Sequence, residues 1–293
     1  MNKNIRRKLY TSTLLLIFLI GLTSCSAFFE SLDSQTTNNI TNKVVEVNDF
    51  TIGDFQTALQ TAIEKAESSS ISIVHSEGGW LGSSSLGSGV VVKREAILTD
   101  KSKGEVDGNI EGYSYYAVTN RHVILTSRNN ISKALKVYFG NGDQVTSASC
   151  VAYSNKEDLA LITFTTPTYI PVATFGDTTK LKKGTFVVAI GSPYSLDYYG
   201  SATFGIVSYP LRYLEDDAFV LGRNPYDTVK NAYIQHDAAI NAGNSGGGLF
   251  DIEGKLIGLN TQKIQSDYED IVENMGFSIP AHIIIEVFKE YLK

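Results

Sequence analysis

The sequence predicts an all-β protein: two antiparallel six-stranded β-barrels with a helix at the N-terminal and at the C-terminal end. Three observations lead there. Sixteen Tyr, fourteen Phe and twenty-five Gly against six Pro favour strands and turns over long helices. Short apolar or alternating runs recur along the chain, broken by turn chemistry. The pattern then falls into two successive halves of like design. A length of 293 residues, 43% hydrophobic and 19% charged, suits one domain of the larger all-β size plus appendages.

Residues 1–24 lie outside that fold. Lys3, Arg6, Arg7 and Lys8 form a positive segment ahead of the apolar core Leu14 to Leu22. That core is shorter than the roughly 17 to 25 residues that span a bilayer, so it reads as a secretory signal. It ends in Leu22-Thr23-Ser24-Cys25, which resembles the lipobox of bacterial lipoproteins. The resemblance implies that Cys25 is diacylated and becomes the mature N-terminus, anchoring the protein to the outer face of the cell membrane with two chains. An ordinary cleavable signal with a coincidental cysteine is the alternative. Residues 25–50, rich in Ser, Thr and Asn, read as a flexible tether, and 51–293 as the folded domain.

Without the signal the balance is 21 basic against 31 acidic residues, a charge of −10. An acidic chain of this kind argues against nucleic acid as a partner. With Cys25 lipidated, Cys150 is left alone in an apparent strand and reads as a small buried hydrophobe. His75, His122, His236 and His282 show no metal-ligand spacing, so neither a metal nor a cofactor is expected.

Along the domain, Phe55, Leu59 and Ile63 recur every four residues and predict an amphipathic helix over Asp54 to Glu67. The first half has strands at 71–75, 89–92, 115–119, 135–139, 145–153 and 159–164, with Gly140-Asn141-Gly142-Asp143 as a hairpin signal. Asp100 to Gly112 reads as a polar loop insertion, regulatory or passive. The second half has strands at 186–190, 201–208, 232–237, 247–250, 255–261 and 275–279. A helix over Ala281 to Lys293, with Ile284, Val287, Phe288 and Tyr291 on one side, closes the domain.

The chemistry concentrates at Asn241-Ala242-Gly243-Asn244-Ser245-Gly246-Gly247-Gly248. A serine hydroxyl is a poor nucleophile until a base takes its proton and donors stabilise the oxyanion it creates. Glycine at 243 permits φ > 0, which lets the Gly243-Asn244-Ser245 backbone turn the N–H groups of Gly243 and Ser245 toward one point, an oxyanion hole. His122 follows an apolar run as candidate base, and Asp158 begins another as the carboxylate that fixes its tautomer. The chain order His122, Asp158, Ser245 is that of the chymotrypsin-type double barrel.

These residues resemble the HtrA/DegP branch of trypsin-like serine proteases. The likeness is carried by Gly87-Ser88-Gly89-Val90, Thr119-Asn120-Arg121-His122-Val123, Asp158-Leu159-Ala160, Gln235 to Asn241, the serine loop, Ile257 to Thr261 and Gly276 to Pro280. It implies a chymotrypsin/trypsin-like fold and a serine endopeptidase acting on unfolded or damaged extracytoplasmic polypeptides, with the possibility of homotrimers. It implies that Ala239, six residues before the serine, lies at the base of the specificity pocket and selects small apolar side chains. A nearby His236, where relatives often carry threonine, would instead favour an acidic one. Leu259, Asn260 and Thr261 resemble the strand that pairs with an extended substrate. The connection from Tyr209 to Asn231 corresponds to one that senses activating ligands in the family. Thirteen residues follow Pro280, so the PDZ domain of many HtrA proteins is not expected. Ala242 and Gly248 replace prolines common in relatives, a change expected to loosen the serine loop. That loosening motivates a second reading, a protease-like lipoprotein that binds unfolded chains or a partner without cutting. A third, a lipid-anchored adhesin, rests only on Cys25 and the tether.

Overall fold

The computed structural model describes residues 51–76, 84–106, 108–216, 229–265 and 271–293, and these form twelve strands. Strands β1 (Ser70–Ser76), β2 (Ser84–Leu98), β3 (Ile110–Asn120), β4 (Leu135–Phe139), β5 (Gln144–Ser154) and β6 (Leu159–Thr166) close a barrel in the order β1-β2-β3-β6-β5-β4. Strands β7 (Phe186–Gly191), β8 (Ser201–Asp216), β9 (Val229–His236), β10 (Gly248–Asp251), β11 (Leu256–Gln265) and β12 (Ile271–Pro280) close a second in the order β10-β11-β12-β9-β8-β7. All pairings between these strands are antiparallel.

Residues 55–293 form one compact unit. Ile71, Ile73, Val91, Ala117 and Ile162 fill the first barrel, and Val187, Ala189, Ile234, Leu249 and Ile257 the second. Their neighbours along the same strands, Val90, Val118, Leu159 and Leu161 from one barrel and Val188, Ile190, Phe250 and Leu259 from the other, pack together in a third cluster. Strand β6 is thus buried on both faces, which is why Leu159-Ala160-Leu161-Ile162 reads as an unbroken apolar run. Each such large side chain contributes about 1.5–3 kcal/mol on burial.

Helix α1 (Ile52–Ser68) starts with a reciprocal cap: the Thr51 N–H donates to Asp54 Oδ2 at 2.7 Å, and the Asp54 N–H to Thr51 Oγ1 at 3.2 Å. From Phe55 onward, Leu59 and Ile63 flank the buried Ala62 and Ala66, the stripe that the sequence predicts. Helix α2 (Ala281–Val287) is shorter than expected; Ile284 and Phe288 still dock on the cluster between the barrels.

Two predicted loops shrink. β2 continues through Lys93 and Arg94 to Leu98, and β3 takes up 110–112 of the insertion, whose first residues form a short 3-10 turn at Lys101–Lys103, capped by Asp100. The buried Asn109 side chain closes this turn on Asp100 and Gly104. The connection at 209–231 is strand at its two described ends, 209–216 in β8 and 229–231 in β9; residues 217–228 lie outside the described residues, as do the signal, Cys25 and the tether. The hairpin signal holds: Gly140, Asn141 and Gly142 all have φ > 0 between β4 and β5.

Candidate active site

β3 and β6 pair so that Asn120 opposes Leu159. His122, just past the end of β3, and Asp158, just before β6, therefore emerge at one end of the first barrel. His122 Nδ1 lies 2.6 Å from Asp158 Oδ2, and the His122 N–H donates to Oδ1 at 3.0 Å. The Asp158 carbonyl accepts from the Arg121 N–H at 3.0 Å and from Asn120 Nδ2 at 3.1 Å. These bonds hold Asp158 at φ 55°, a left-handed conformation that a short polar side chain tolerates. Asp158 is 4% exposed. Burial tends to push the His122 imidazole down, yet the charge and hydrogen bond of Asp158 outweigh it and hold the ring above its ordinary 6.5.

Ser245 stands on the loop entering β10. Among the described residues its hydroxyl donates to the Thr261 carbonyl at 3.3 Å rather than to the His122 ring. The Thr261 hydroxyl in turn donates to Asp158 Oδ2 at 3.4 Å. Thr261 thus links the serine to the carboxylate, a role that a motif reading assigned to substrate binding alone does not contain. Gly243 has φ 98°, and a Cβ there would lie 2.2 Å from the Ser192 carbonyl oxygen, so only glycine fits.

At its second departure the loop runs into paired strand. Gly248 pairs with Leu259, its carbonyl accepts from Asn260 Nδ2 at 3.0 Å, and a Cβ at 248 would meet the Phe250 ring at 2.2 Å. The aromatic ring fills the space that a proline would need.

Ala239 lines a cleft of about 220 Å³ with Ala238, Ile240, Asn241, Met275 and Gly276. Leu259 and Asn260 correct the predicted substrate strand. Both are fully buried inside β11 and paired with β12 on one side; on the other, Leu259 pairs with Gly248 of β10 and Asn260 with the serine loop, so neither has backbone to offer. The Asn260 N–H donates to the Gly247 carbonyl, and its own carbonyl accepts from the Gly246 N–H. Thr261, at a register shift between Asn260 and Gln262, marks where β11 leaves that double pairing.

His236 also departs from expectation. It is fully buried beneath Gly276, with Nε2 3.0 Å from Ser278 Oγ. Burial pushes its imidazole down to about 4, outweighing the pull of Asp237 and the Ala238 backbone, so it is neutral near pH 7 and offers no cation to an acidic side chain. Because the folded protein resists protonating it, the stability it contributes is present above pH 6.5 and is lost as pH falls toward 4. Comparing the protein with a His236→Gln variant by thermal melts, the stability gap at pH 7 should shrink by on the order of 3 kcal/mol at pH 4. A gap that stays constant over that range would refute the assignment.

Cys150 is half-buried, its thiol on the Ala152 carbonyl and pushed up by burial. Among the described residues no cluster of three or more His, Cys, Asp or Glu is placed to hold a metal ion. No described helix is long and apolar enough to cross a membrane.

Residues 87–259 match the trypsin-like peptidase domain family. The chain is 32% identical over 290 residues to the serine protease Do-like HtrA of Lactococcus lactis subsp. cremoris, covering 90% of this chain and 64% of that protein. It is 35% identical over 201 residues to the periplasmic serine endoprotease DegP of Salmonella typhimurium, covering 68% of this chain and 34% of that one. The chain therefore spans less than two thirds of the length of these curated relatives. Among solved structures it is similar to the HtrA-type protease AlgW with tripeptide, at a TM-score of 0.58 and 28% identity, over 80% of this chain and 64% of that one.

Proposed function

Because the chain belongs to the trypsin-like peptidase domain family, we propose that it is a serine endopeptidase of HtrA/DegP type that cleaves unfolded extracytoplasmic polypeptides. His122 takes the Ser245 proton as the oxygen attacks a peptide carbonyl. Asp158 holds the ring and stabilises its charged form, and the N–H groups of Gly243 and Ser245 receive the oxyanion. His122 then protonates the leaving amine, and water releases the acyl-enzyme by the same route. The observation that carries this reading is the Asp158 carboxylate, bound through both oxygens to His122 and joined through Thr261 to the Ser245 hydroxyl. The substrate backbone adds to β11 from Thr261 onward, beyond the residues already paired on both sides.

The Ala239 cleft supports a preference for small apolar side chains at the residue preceding the cut. Digestion of unfolded casein by the full chain, with the cut sites mapped by mass spectrometry, tests both readings. Cuts after Ala, Val and similar residues are expected. Predominance of Lys, Arg or Glu would overturn the pocket assignment, and binding without cleavage would favour the non-cutting lipoprotein.

A cleaved signal over 1–24, a lipid on Cys25 and a tether over 25–50 would put the enzyme outside the cytoplasm at a membrane surface, the reading that the lipobox-like Leu22-Thr23-Ser24-Cys25 supports. The periplasmic serine endoprotease DegP of Salmonella typhimurium, as its name says, works outside the cytoplasm, in keeping with export. Self-association is supported by Phe55, Phe186 and Phe204, whose rings lie 5.2 to 6.0 Å apart, with Phe186 and Phe204 each more than two fifths exposed.

A further inference from the structure

Two N–H groups must point at one oxygen, and what aims each is the carbonyl on the far side of its peptide. The Ala242 carbonyl accepts from the Tyr194 N–H at 2.8 Å, and the Asn244 carbonyl from the Gly247 N–H at 2.9 Å. In a trans peptide the N–H lies opposite the C=O, so these bonds turn the N–H groups of Gly243 and Ser245 the other way. Among the described residues neither of those N–H groups meets a backbone acceptor.

The peptide between the two is held from the other barrel. Ser88, in β2 and 1% exposed, donates its hydroxyl to the Gly243 carbonyl at 2.7 Å. Its N–H donates to the Ser245 carbonyl at 2.8 Å, and its oxygen accepts from the Ser192 N–H at 3.0 Å. One hydroxyl therefore ties the serine loop to the segment Ser192–Tyr194, which itself holds the Ala242 carbonyl.

We propose that Ser88 is a positioning residue of the oxyanion hole: its hydroxyl fixes the Gly243 carbonyl and thereby aims the two flanking N–H donors. This rests on the endopeptidase reading. Gly243 needs such a constraint, since a glycine at φ 98° has no side chain to confine its neighbouring peptides. A misaimed donor costs most when full charge sits on the oxygen, so the loss falls on kcat more than on KM.

The test uses the full chain. Ser88→Ala should lower kcat on a peptide substrate by about 10- to 100-fold with KM within about threefold. It should weaken a peptidyl aldehyde, which becomes an oxyanion on the serine, by a similar factor, and leave the affinity of the matching peptide acid unchanged. Ser88→Cys, with a weak donor in the same place, should fall between. Ser72→Ala removes the hydroxyl that meets Ser192 Oγ without touching the serine loop, and should keep the wild-type kcat. A Ser88→Ala or Ser88→Cys enzyme at wild-type kcat would overturn the proposal, as would equal losses in the Ser72 and Ser88 variants. A wild-type chain that neither cleaves casein nor reacts with a serine-directed phosphonate would instead overturn the endopeptidase reading beneath it.

Discussion

Replacing Ser245 by alanine is expected to lower the kcat for unfolded casein by on the order of 10⁶-fold while leaving the fold in place. The two halves of that expectation have different causes. Catalysis fails because neither His122 nor the two N–H donors can act without an oxygen to deprotonate and then stabilise. Stability holds because the hydroxyl has one bond to lose, the 3.3 Å contact with the Thr261 carbonyl, worth about 1 kcal/mol or less. The measurement is hydrolysis alongside a thermal melt, with phosphonate labelling located by mass spectrometry. A label on Ser245 in the wild type and none in the variant is the expected pair. Equal hydrolysis by both proteins would show that another group, or another protein, does the cutting.

The parts of this site legible in the sequence are those whose chemistry is local. His122, Asp158 and Ser245 each sit in a short run whose neighbours announce the role, and their chain order restricts the fold. Gly140-Asn141-Gly142 is legible for the same reason, because left-handed conformations at a hairpin leave few residue types to choose from. What stays hidden depends on partners far along the chain. Lys93 and Arg94 look like the end of a strand, yet β2 runs on through them because they face Tyr116 and Tyr115 across the ladder. Arg94 also lies over the rings of Tyr113 and Tyr169, at 5.2 and 4.3 Å. Leu259-Asn260 has the look of a strand open to substrate, and only the barrel's closure shows both its edges to be taken. Thr261 reads in sequence as part of a substrate-pairing strand, and His236 as a neighbour of the pocket. Their actual duties, on Asp158 and on Ser278, follow from packing between barrel strands.

Asp158→Asn should keep the fold and still lower kcat by about 10⁴-fold, for a reason visible in which oxygen does what. Oδ1 accepts the His122 N–H, so an asparagine there would keep its carbonyl oxygen on that side and turn its NH₂ toward Nδ1. The ring must then accept at Nδ1 and carry its proton on Nε2, the tautomer unable to take a proton from Ser245. The pH profile gives a second readout. In the wild type the base works only when neutral, so kcat/KM should rise with pH through a midpoint above 6.5, where Asp158 holds the imidazole. Without that carboxylate, burial alone acts on the ring and the residual activity should have its acid limb at lower pH. Stability should respond with the opposite sign: the raised imidazole contributes fully below pH 6.5, and its contribution fades as pH rises through the folded-state value. On the endopeptidase reading, activity is therefore expected to be highest where the charged pair no longer helps to hold the fold together, so that Asp158 serves the reaction more than the fold. A variant with the wild-type acid limb would sink that assignment, because the shift on His122 would then owe nothing to Asp158.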